Sequence, residues 1–441
     1  MAVLGEKTPS GFYHINDYEP GGLNNRGDAI YGTDVGTSAD PSTFIGEGAF
    51  LRAAGQEFEL ARAGASAPGG STFDALILSA ASINDSRDAA FAFALSPLGA
   101  PTGVNAGLFH YSIPNRVSTA VVQPFITPAP AGGTFQGVVF GTSLTNRGDI
   151  LFSGIIASGQ GVHIPGEVYP GLGVGVFKAD SQGQITSIVS PGDPAPGGGL
   201  FDYAGNSGAG GAAINAGGDV AFVGHVAGEE AKFPGFPPQT TLISALGSLY
   251  IKDAQHGVIT SIAHAGESAP GGAIYREIIS PALNASGDVA FIGDISPGSS
   301  VNQHLAVFLN SKGATLAVAL PGDLMPGDGH FVTSGFGISM NNTGDIVFTS
   351  DLDTDVNRDG VPDTGIYVWS GGSVRLVART GTVIPGVGTI GQVASGVTII
   401  PPPPSYFPGS GVINDHGQIL FGVTLDDAKK TGVLLLASPH H

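Results

Sequence analysis

A short phrase recurs along this chain and constrains its fold more than any other feature. In its fullest form it reads Asn-x-x-Gly-Asp-(apolar)-x-Phe. Its seven copies begin at Asn24, Asn84, Thr145, Asn215, Asn284, Asn341 and Asn414. The repeat is therefore about 65 residues long, which indicates that one supersecondary unit is used seven times.

Each phrase has the composition of a β-hairpin turn. The Asn side chain can hydrogen-bond nearby backbone, and the Gly three positions later supplies the left-handed residue that closes a type I turn with a bulge. The second copy has Arg87 in place of this Gly, so we expect strain or a different turn there. An alternating strand follows directly, as in Val220-Ala221-Phe222-Val223.

A second phrase, Gly-(Asp/Glu)-x-x-Pro-Gly-Gly followed by an aromatic residue, lies between the first ones, as at Gly192 and Gly266. Two further short apolar strands complete each repeat, which gives four strands, A to D. Four antiparallel strands form a β-propeller blade. We therefore predict an all-β, seven-bladed β-propeller of four-stranded antiparallel blades; a stacked solenoid is the alternative, although its repeats are usually shorter and its ends capped. The predicted blades span residues 11–64, 72–127, 134–191, 199–265, 273–321, 329–380 and 388–437 plus 2–6.

The two ends of the chain look like complementary parts of one repeat. The last repeat ends with strand C at residues 432–436, and residues 2–6 match the end of a strand D with its following loop. We predict that the N-terminal strand pairs onto the last blade, so that residues 1–441 form one closed domain. Closure would leave no exposed sheet edge between the first and last blades.

Composition narrows the classes of function. The chain has no cysteine, which excludes disulfides, thiol catalysis and cysteine-ligated zinc. A net charge of −19 argues against nucleic acid and anionic membrane as partners. No apolar run is long enough to span a bilayer, and no secretion signal is recognisable. The low-lysine, cysteine-free, glycine-rich composition predicts an extracellular bacterial protein, which we expect to be a monomer.

The Asn-x-x-Gly-x-x-Phe phrases end in Ala-Phe in the copies that begin at Asn215 and Asn284. In this they resemble the bacterial tandem-repeat proteins named for an NxxGxxAF repeat, over almost the whole chain, residues 5–436. The resemblance implies an exported or surface protein, often one with a C-terminal sorting anchor, and implies no activity. No anchor segment is recognisable in this sequence.

One acidic stretch has the spacing of a calcium loop. Oxygen-bearing side chains at alternate positions, followed by a Gly, are how a short loop wraps Ca²⁺. We predict a structural calcium site between strands B and C of blade six, formed by Asp353, Asp355, Asn357, Asp359, the Val361 carbonyl and Asp363. Ile366 stands where an EF-hand has Glu, so the loop resembles those of thrombospondin-type and dockerin-like repeats. A solvated acidic loop is the alternative.

Propeller geometry places the D–A and B–C loops on one face. The longest B–C insertions, near residues 96–107, 158–173 and 227–247, predict that this is the functional face. Candidate ligand-binding residues lie at the starts of the A strands: His14, Asp74, Gln136, Asp202, Tyr203, Arg276 and Glu277. Filling of a polar channel by these residues and water is the alternative. The D–A carboxylates could form a cation-binding ring, but capping of their own loops is favoured: Glu6, Asp193, Glu267 and Asp323.

These features predict a secreted or surface binding module, for a glycan or another surface polymer. A polysaccharide lyase or glycoside hydrolase at the channel mouth is the second reading, because His, Tyr and Arg can support β-elimination and paired carboxylates can hydrolyse a glycosidic bond. A structural surface-layer component is the third. A tight cluster of His, Tyr, Arg and carboxylates would favour an enzyme. Exposed aromatics on the insertions would favour glycan stacking: Tyr169, Phe233, Phe236, Tyr406 and Phe407.

Overall fold

The chain forms a seven-bladed β-propeller, as the repeats predict. The structure, a computed structural model, describes residues 2–96, 105–130, 132–157, 162–164, 167–169, 172–205, 210–227, 247–295, 304–393, 411–427 and 431–438. Within these residues there is no α-helix, and one short 3₁₀ turn spans Pro41–Thr43. Each blade is an antiparallel sheet of four or more strands.

The strands follow the predicted order A to D in every blade. After β1 (Ala2–Val3), blade 1 contains β2 (Tyr13–Leu23), β3 (Ala29–Gly36), β4 (Phe44–Ala53) and β5 (Gln56–Arg62). Blade 2 contains β6 (Thr72–Ile83), β7 (Asp88–Ser96), β8 (Ala106–Ser112) and β9 (Val117–Val122). Blade 3 contains β10 (Phe135–Leu144), β11 (Ile150–Ala157), the inserted hairpin β12 (Val162–Ile164) and β13 (Glu167–Tyr169), then β14 (Leu172–Ala179) and β15 (Ile185–Val189).

Blade 4 has a divided inner strand, β16 (Phe201–Ala204) and β17 (Ala212–Ile214), followed by β18 (Val220–Val226), β19 (Ser248–Lys252) and β20 (Ile259–Ala263). Blade 5 contains β21 (Glu277–Leu283), β22 (Val289–Asp294), β23 (Leu305–Ser311) and β24 (Ala314–Ala319). Blade 6 contains β25 (Phe331–Met340), β26 (Ile346–Leu352), β27 (Thr364–Ser370) and β28 (Ser373–Arg379). Blade 7 contains β29 (Val383–Ile384), β30 (Gly388–Val393), β31 (Val412–Ile413), β32 (Ile419–Leu425) and β33 (Gly432–Ala437).

The N-terminal strand closes the ring. β1 pairs antiparallel with β33, with Ala2 opposite Leu434 and Val3 opposite Val433. The pairing continues in a hydrogen bond of 3.3 Å from the Leu4 N–H to the Gly432 carbonyl. The predicted closure is therefore confirmed.

The core between blades is built from one aromatic ring on each of strands A, B and C. In blade 3, Phe152 and Phe177 stack with ring centroids 5.8 Å apart, and Phe135 meets Phe177 edge-on at 4.9 Å. The same arrangement recurs in blades 2, 4 and 5, where the strand-A ring is Phe73, Phe201 or Tyr275. Edge-to-face and offset-stacked rings are the geometries that aromatic quadrupoles favour, so the repeat specifies its own packing.

The Asn of the repeated phrase joins neighbouring blades at five boundaries of the described structure. The Asn24 Oδ1 accepts the N–H groups of Arg26 and Asp28 within its own turn, at 3.0 and 2.9 Å. Its Nδ2 donates across the blade boundary to the Asn84 carbonyl at 3.0 Å. Asn414 makes the equivalent bond to the Asn24 carbonyl, at 2.8 Å. The local bonds confirm the predicted turn, and the bonds between blades form a buried asparagine ring at the A–B end of the channel.

Arg87 shows how the chain accommodates a departure from the repeat. Its backbone is left-handed, with φ of 68°, although it is not a glycine. Its Nε donates to the Asp28 Oδ2 of the preceding blade at 2.7 Å, and Asp28 is buried. The expected strain is therefore present, and the ion pair with Asp28 offsets part of it.

Candidate functional site

Six polar side chains converge where blade 4 meets blade 5. We call this group the blade 4–5 cluster: Asp202, Tyr203, His225, Arg276, Glu277 and Asp294. Phe201 and Tyr275, the strand-A rings of these blades, are buried and position the residues that follow them. In the strand registers, Tyr203 lies opposite His225 and Glu277 lies opposite Asp294.

The blade 4 half of the cluster is an ordered His–Asp pair with a tyrosine against it. The His225 Nδ1 lies 2.7 and 2.9 Å from the two carboxylate oxygens of Asp202. A register shift between Phe201 and Tyr203 places Asp202 in a bulge, which turns its side chain toward His225. The Tyr203 ring stacks on the imidazole at 5.5 Å and nearly parallel, with 10° between the planes. The carboxylate and the stacked ring together fix the imidazole orientation.

The blade 5 half of the cluster brings two carboxyl groups and a guanidinium together. The Arg276 Nη1 lies 3.6 Å from the Asp294 Oδ2, and Asp294 is buried. Burial, and then the negative charge of Asp294, raise the pKa of Glu277 to about 8, while Arg276 opposes this shift. The Glu277 carboxyl is therefore largely protonated at neutral pH and can donate a hydrogen bond.

The two halves interact across the blade boundary. Burial raises the pKa of Tyr203 well above its usual value, and the negative charges of Glu277 and Asp202 raise it further. Tyr203 therefore keeps its proton, and the cluster presents neutral hydroxyl and carboxyl donors beside carboxylate acceptors. Such a mixture can bind sugar hydroxyls or transfer protons.

Of the seven predicted ligand-binding residues, the structure brings four together: Asp202, Tyr203, Arg276 and Glu277. Asp74 and Gln136 lie at the equivalent places in blades 2 and 3, apart from this cluster. Asp74 is exposed, and the Gln136 Nε2 donates to the Thr134 carbonyl at 3.3 Å. Ligand binding by these two residues stays a prediction.

His14 does not border the channel mouth as expected; it is buried within blade 1. Its ring meets Phe50 edge-on at 4.7 Å, and its Nε2 lies 3.2 Å from the Glu57 Oε2. The bridge between Lys7 and Tyr13 matches that between Ser66 and Thr72, so His14 occupies the place that Phe73 holds in blade 2. From the sequence, His14 stands two residues after Phe12, the aromatic of the D–A phrase, whereas in the structure His14 itself occupies the ring position.

Sequence reasoning missed His225 and Asp294, which lie near the end of strand B. Both occupy the position opposite the second residue after the strand-A ring, and Asp351 occupies the same place opposite Thr333 in blade 6. The sequence does contain a signal for these residues, because the end of strand B carries a polar residue in these three blades.

The predicted calcium loop is held by internal hydrogen bonds. Asp355 accepts the N–H groups of Asp359 and Gly360, each at 3.1 Å, and the Asn357 Nδ2 donates to Asp359 at 3.1 Å. Asp363 is buried and its Oδ2 lies 2.9 Å from the Arg379 Nη2. These residues therefore divide into an exposed loop and a buried ion pair.

Asp353, the first residue of the predicted calcium set, pairs with the His330 Nδ1 at 2.8 Å. Within the described residues, no three His, Cys, Asp or Glu side chains gather closely enough to hold a metal ion. Calcium binding by Asp355, Asn357, Asp359 and the Val361 carbonyl stays a prediction, with Asp353 and Asp363 engaged elsewhere.

Three of the four D–A carboxylates cap their own loops, as favoured from the sequence. Asp193 accepts the Ser190 N–H at 2.8 Å, Glu267 the His264 N–H at 3.1 Å, and Asp323 the Leu320 N–H at 2.7 Å. Glu6 instead lies 3.9 Å from Arg52. Three of the four carboxylates therefore accept hydrogen bonds within their own loops, which disfavours the alternative of a cation-binding ring.

The aromatics predicted for glycan stacking lie outside the side chains that the structure describes. Phe233, Phe236, Tyr406 and Phe407 lie outside the described residues, as does the proline run at 401–404. Tyr169 lies in β13, of which only the backbone is described.

A family model matches this chain over residues 1–235 and 233–435. The chain belongs to the DUF7453 family. This is described as a family of unknown function, so membership assigns no activity. No curated protein matches the sequence. The resemblance to NxxGxxAF repeat proteins stays a prediction beside this finding.

Several solved structures match this DUF7453 member at low sequence identity. An oligogalacturonate lyase in complex with manganese matches with a TM-score of 0.50 and 13% identity, over 100% of this chain and 96% of that one. An acylaminoacyl peptidase from Pyrococcus horikoshii matches with a TM-score of 0.49 and 11% identity, over 99% of this chain and 53% of that one. A gluconolactonase from Xanthomonas campestris matches with a TM-score of 0.34 and 12% identity, over 80% and 83%. At these identities the likeness concerns the fold alone.

The described part of this DUF7453 chain includes no helix with the length and apolar character of a membrane span.

Proposed function

We propose that this DUF7453 propeller binds a glycan or another polyhydroxylated surface polymer at the blade 4–5 cluster. The observation that carries this proposal is the convergence of Tyr203, His225 and Arg276 with three carboxyl groups from two adjacent blades. The cluster lies at the end of β18, from which the longest B–C insertion leaves the blade. Recognition residues on loops beside a rigid scaffold are the usual arrangement of a binding face.

The hydrogen-bonding groups of the cluster suit a ligand with several hydroxyl groups better than a ligand with a single charge. The Tyr203 hydroxyl and the protonated Glu277 carboxyl donate hydrogen bonds, and Asp202 accepts them. Arg276 and Asp294 offset one another in charge. The chain charge of −19 further favours neutral or basic polymers over polyanions.

Affinity electrophoresis against neutral, basic and uronic polysaccharides tests this proposal. We expect one polymer to retard the wild-type protein, and Arg276→Ala and Tyr203→Phe to lose most of that retardation. Asp74→Asn is the matched control, because Asp74 occupies the same strand-A position as Asp202 in a blade without the cluster. Equal retardation of Arg276→Ala and wild type would place the binding site elsewhere. If no polymer retards the protein, a structural surface-layer role becomes the better reading.

Acid–base catalysis on a polysaccharide is the second candidate. It is favoured by the ordered Asp202–His225 pair and by a Glu277 pKa near neutrality, where a general acid or base is most effective. Staining the same gels for polymer loss distinguishes the two readings, since an enzyme clears polymer and a binding module does not. In the catalytic reading, His225→Gln abolishes clearing, and the rate falls above pH about 8 as Glu277 loses its proton.

A structural calcium ion in the blade 6 loop is a separate proposal. It is supported by the Asn357 Oδ1, a buried oxygen without a hydrogen-bond partner within the described structure, beside the carboxylates of Asp355 and Asp359. We expect a chelator to lower the Tm of the wild-type protein and to leave that of Asp359→Ala unchanged. A Tm that does not respond to chelator, with no metal co-purifying, would refute the site.

Location outside the cell is proposed on composition, because the chain is acidic and lacks cysteine. Fractionation of cells that express the full-length protein tests it, and recovery of the protein from the cytoplasm alone would contradict it. The predicted monomeric state is tested by light scattering on the purified chain.

A further inference from the structure

We infer a second binding site, for a neutral saccharide unit, in a groove between blades 2 and 3 on the face opposite the blade 4–5 cluster. The groove is a cavity of about 490 Å³ at the A–B and C–D turns of these blades. Val121, Ile150 and Ala179 line its apolar part, and Asp88, His110, Arg147 and Gln182 line its polar part. We call it the blade 2–3 groove. Its volume falls in the range of small-molecule sites, and polar groups make up more of its lining than apolar ones.

His110 marks a departure from the repeat at this groove. It follows Phe109 on β8, the place that Leu51, Leu309 and Val368 hold in blades 1, 5 and 6, and that Lys178 holds in blade 3. Those three aliphatic side chains are buried in the hydrophobic cores at their own blades. In blade 2, the equivalent side chain is an imidazole that is 29% exposed to solvent. The substitution replaces apolar packing with a group that can both donate and accept hydrogen bonds.

Asp88 marks a second departure at the same place. In blades 1, 4, 5 and 6, the carboxylate four residues after the repeated Asn accepts its amide, as between Asn24 and Asp28 at 3.1 Å. In blade 2, the Asn84 Nδ2 donates to the Thr145 carbonyl, and within the described residues the Asp88 carboxylate makes only a 3.9 Å approach to the His110 Nε2. The Asp88 carboxylate therefore remains able to accept hydrogen bonds, whereas the equivalent carboxylates of those four blades accept the Asn amide within the turn.

Blade 3 supplies donors on the opposite wall. Arg147 is 62% exposed, with its Nε 3.8 Å from Asp149, and Gln182 is exposed on the turn between β14 and β15. The groove thus offers a carboxylate, an imidazole, a guanidinium and an amide around an apolar lining. Because Arg147 is paired with Asp149, and both Asp88 and Asp180 line the groove, the groove disfavours an anion and suits a neutral ring with several hydroxyl groups.

Two sites on opposite faces would allow one molecule to hold two glycan chains. The groove itself is inferred without the blade 4–5 cluster, whereas holding two glycan chains needs both sites and so rests on the proposed function. Two polymer sites in one rigid ring would cross-link polymer without any oligomerisation of the protein.

Saturation-transfer NMR and titration calorimetry of the full chain test the groove, with neutral monosaccharides and disaccharides, glucosamine and galacturonate as probes. We expect a neutral sugar to bind, and His110→Leu and Asp88→Asn each to weaken it about tenfold or more. His110→Leu introduces the residue that blade 1 has at the equivalent position, Leu51. We therefore expect the variant to fold. Arg276→Ala, in the other site, should leave this affinity unchanged.

Three results would overturn the inference: no neutral sugar binds, only glucosamine or galacturonate binds, or His110→Leu binds as tightly as wild type. The two proposals fail separately. If Arg276→Ala abolishes all binding while the groove variants keep it, the groove is wrong and the proposed function stands. If the groove variants alone lose binding, the groove stands and the blade 4–5 cluster is not the glycan site.

Discussion

Removal of the asparagine side chain at the ring seam should destabilise the propeller by about 3–4 kcal/mol. Asn414 is 4% exposed, and its amide makes four hydrogen bonds. The Oδ1 accepts the N–H groups of His416 and Gln418 at 3.1 and 3.0 Å, and the Nδ2 donates to the Gln418 side chain and the Asn24 carbonyl, each at 2.8 Å. Asn414→Ala leaves these four partner groups without their bonds to the amide, at about 1 kcal/mol for each bond.

Blade 3 supplies a natural comparison, because it has Thr145 at this position. The Thr145 Oγ1 accepts the Asp149 N–H at 3.1 Å, so a hydroxyl can replace one of the four bonds. We therefore expect Asn414→Thr to lose about 1 kcal/mol less than Asn414→Ala. Asn84→Ala is the matched control at a boundary where the chain runs continuously from blade to blade. The Asn84 side chain bonds to Asp88 and Thr145, and we expect a smaller loss there.

Equilibrium unfolding in urea, followed by far-ultraviolet circular dichroism, measures these free energies. The reasoning fails if Asn414→Ala lies within about 0.5 kcal/mol of wild type, the range of ordinary surface substitutions. It also fails if Asn414→Thr is less stable than Asn414→Ala, since the hydroxyl could not then be replacing the amide oxygen.

Three further predictions concern charged groups inside the ring. Arg87→Gly relieves the left-handed backbone but removes the partner of buried Asp28, so we expect a net loss of about 1 kcal/mol in urea unfolding; a gain in stability would show that strain outweighs the pair. Burial acts to raise the pKa of Glu57, but hydrogen bonds from His14 and Tyr31 outweigh it and hold the pKa below its usual value of 4.5. Stability from this group is thus full above pH about 4.5 and is lost as pH falls through the folded pKa, so acidification should cost wild type more than Glu57→Gln. The pKa of Glu277 is raised from 4.5 to about 8, so the folded state holds its proton and stability should fall as pH rises through that window, a fall that Glu277→Gln removes.

The fold could be predicted from sequence because each blade carries its own turn signals. The Asn and Gly of the phrase fix a local turn, and the local bonds of Asn24 are the predicted ones. Its bond to the Asn84 carbonyl could not be predicted in the same way. That acceptor belongs to the next repeat, and only the closed ring brings the two together.

The candidate site was predictable in part for a related reason. Strand A contributes Tyr203 and Glu277, which a comparison of repeats brings to one position. Their partners His225 and Asp294 come from strand B, and a bulge after Phe201 sets the pairing. A bulge shifts the register by one residue, which sequence spacing alone does not reveal. The wrong placement of His14 has a related origin, because the aromatic of the D–A phrase in blade 1 stands two residues before the strand-A ring position that His14 occupies.

A residue that departs from the repeat can be interpreted only when the residues that it contacts are known. His14 replaces a core ring, and Glu57 pairs with its Nε2 within blade 1, while its Nδ1 is buried without a hydrogen-bond partner in the described structure. Arg87 replaces a glycine and is complemented by Asp28. Each of these changes is balanced by another residue of the framework, and such a pair gains nothing from a ligand.

His110 and Asp88 also differ from their counterparts in blades 1, 5 and 6, but they lie 3.9 Å apart around a solvent-open groove, and neither restores the packing or the turn bonds of those three blades. A polar side chain that has given up its structural partner costs stability unless something else binds it. The propeller therefore separates its departures into two kinds. Those that are compensated inside the ring maintain the fold, and those that face solvent without compensation are where a ligand would be recognised.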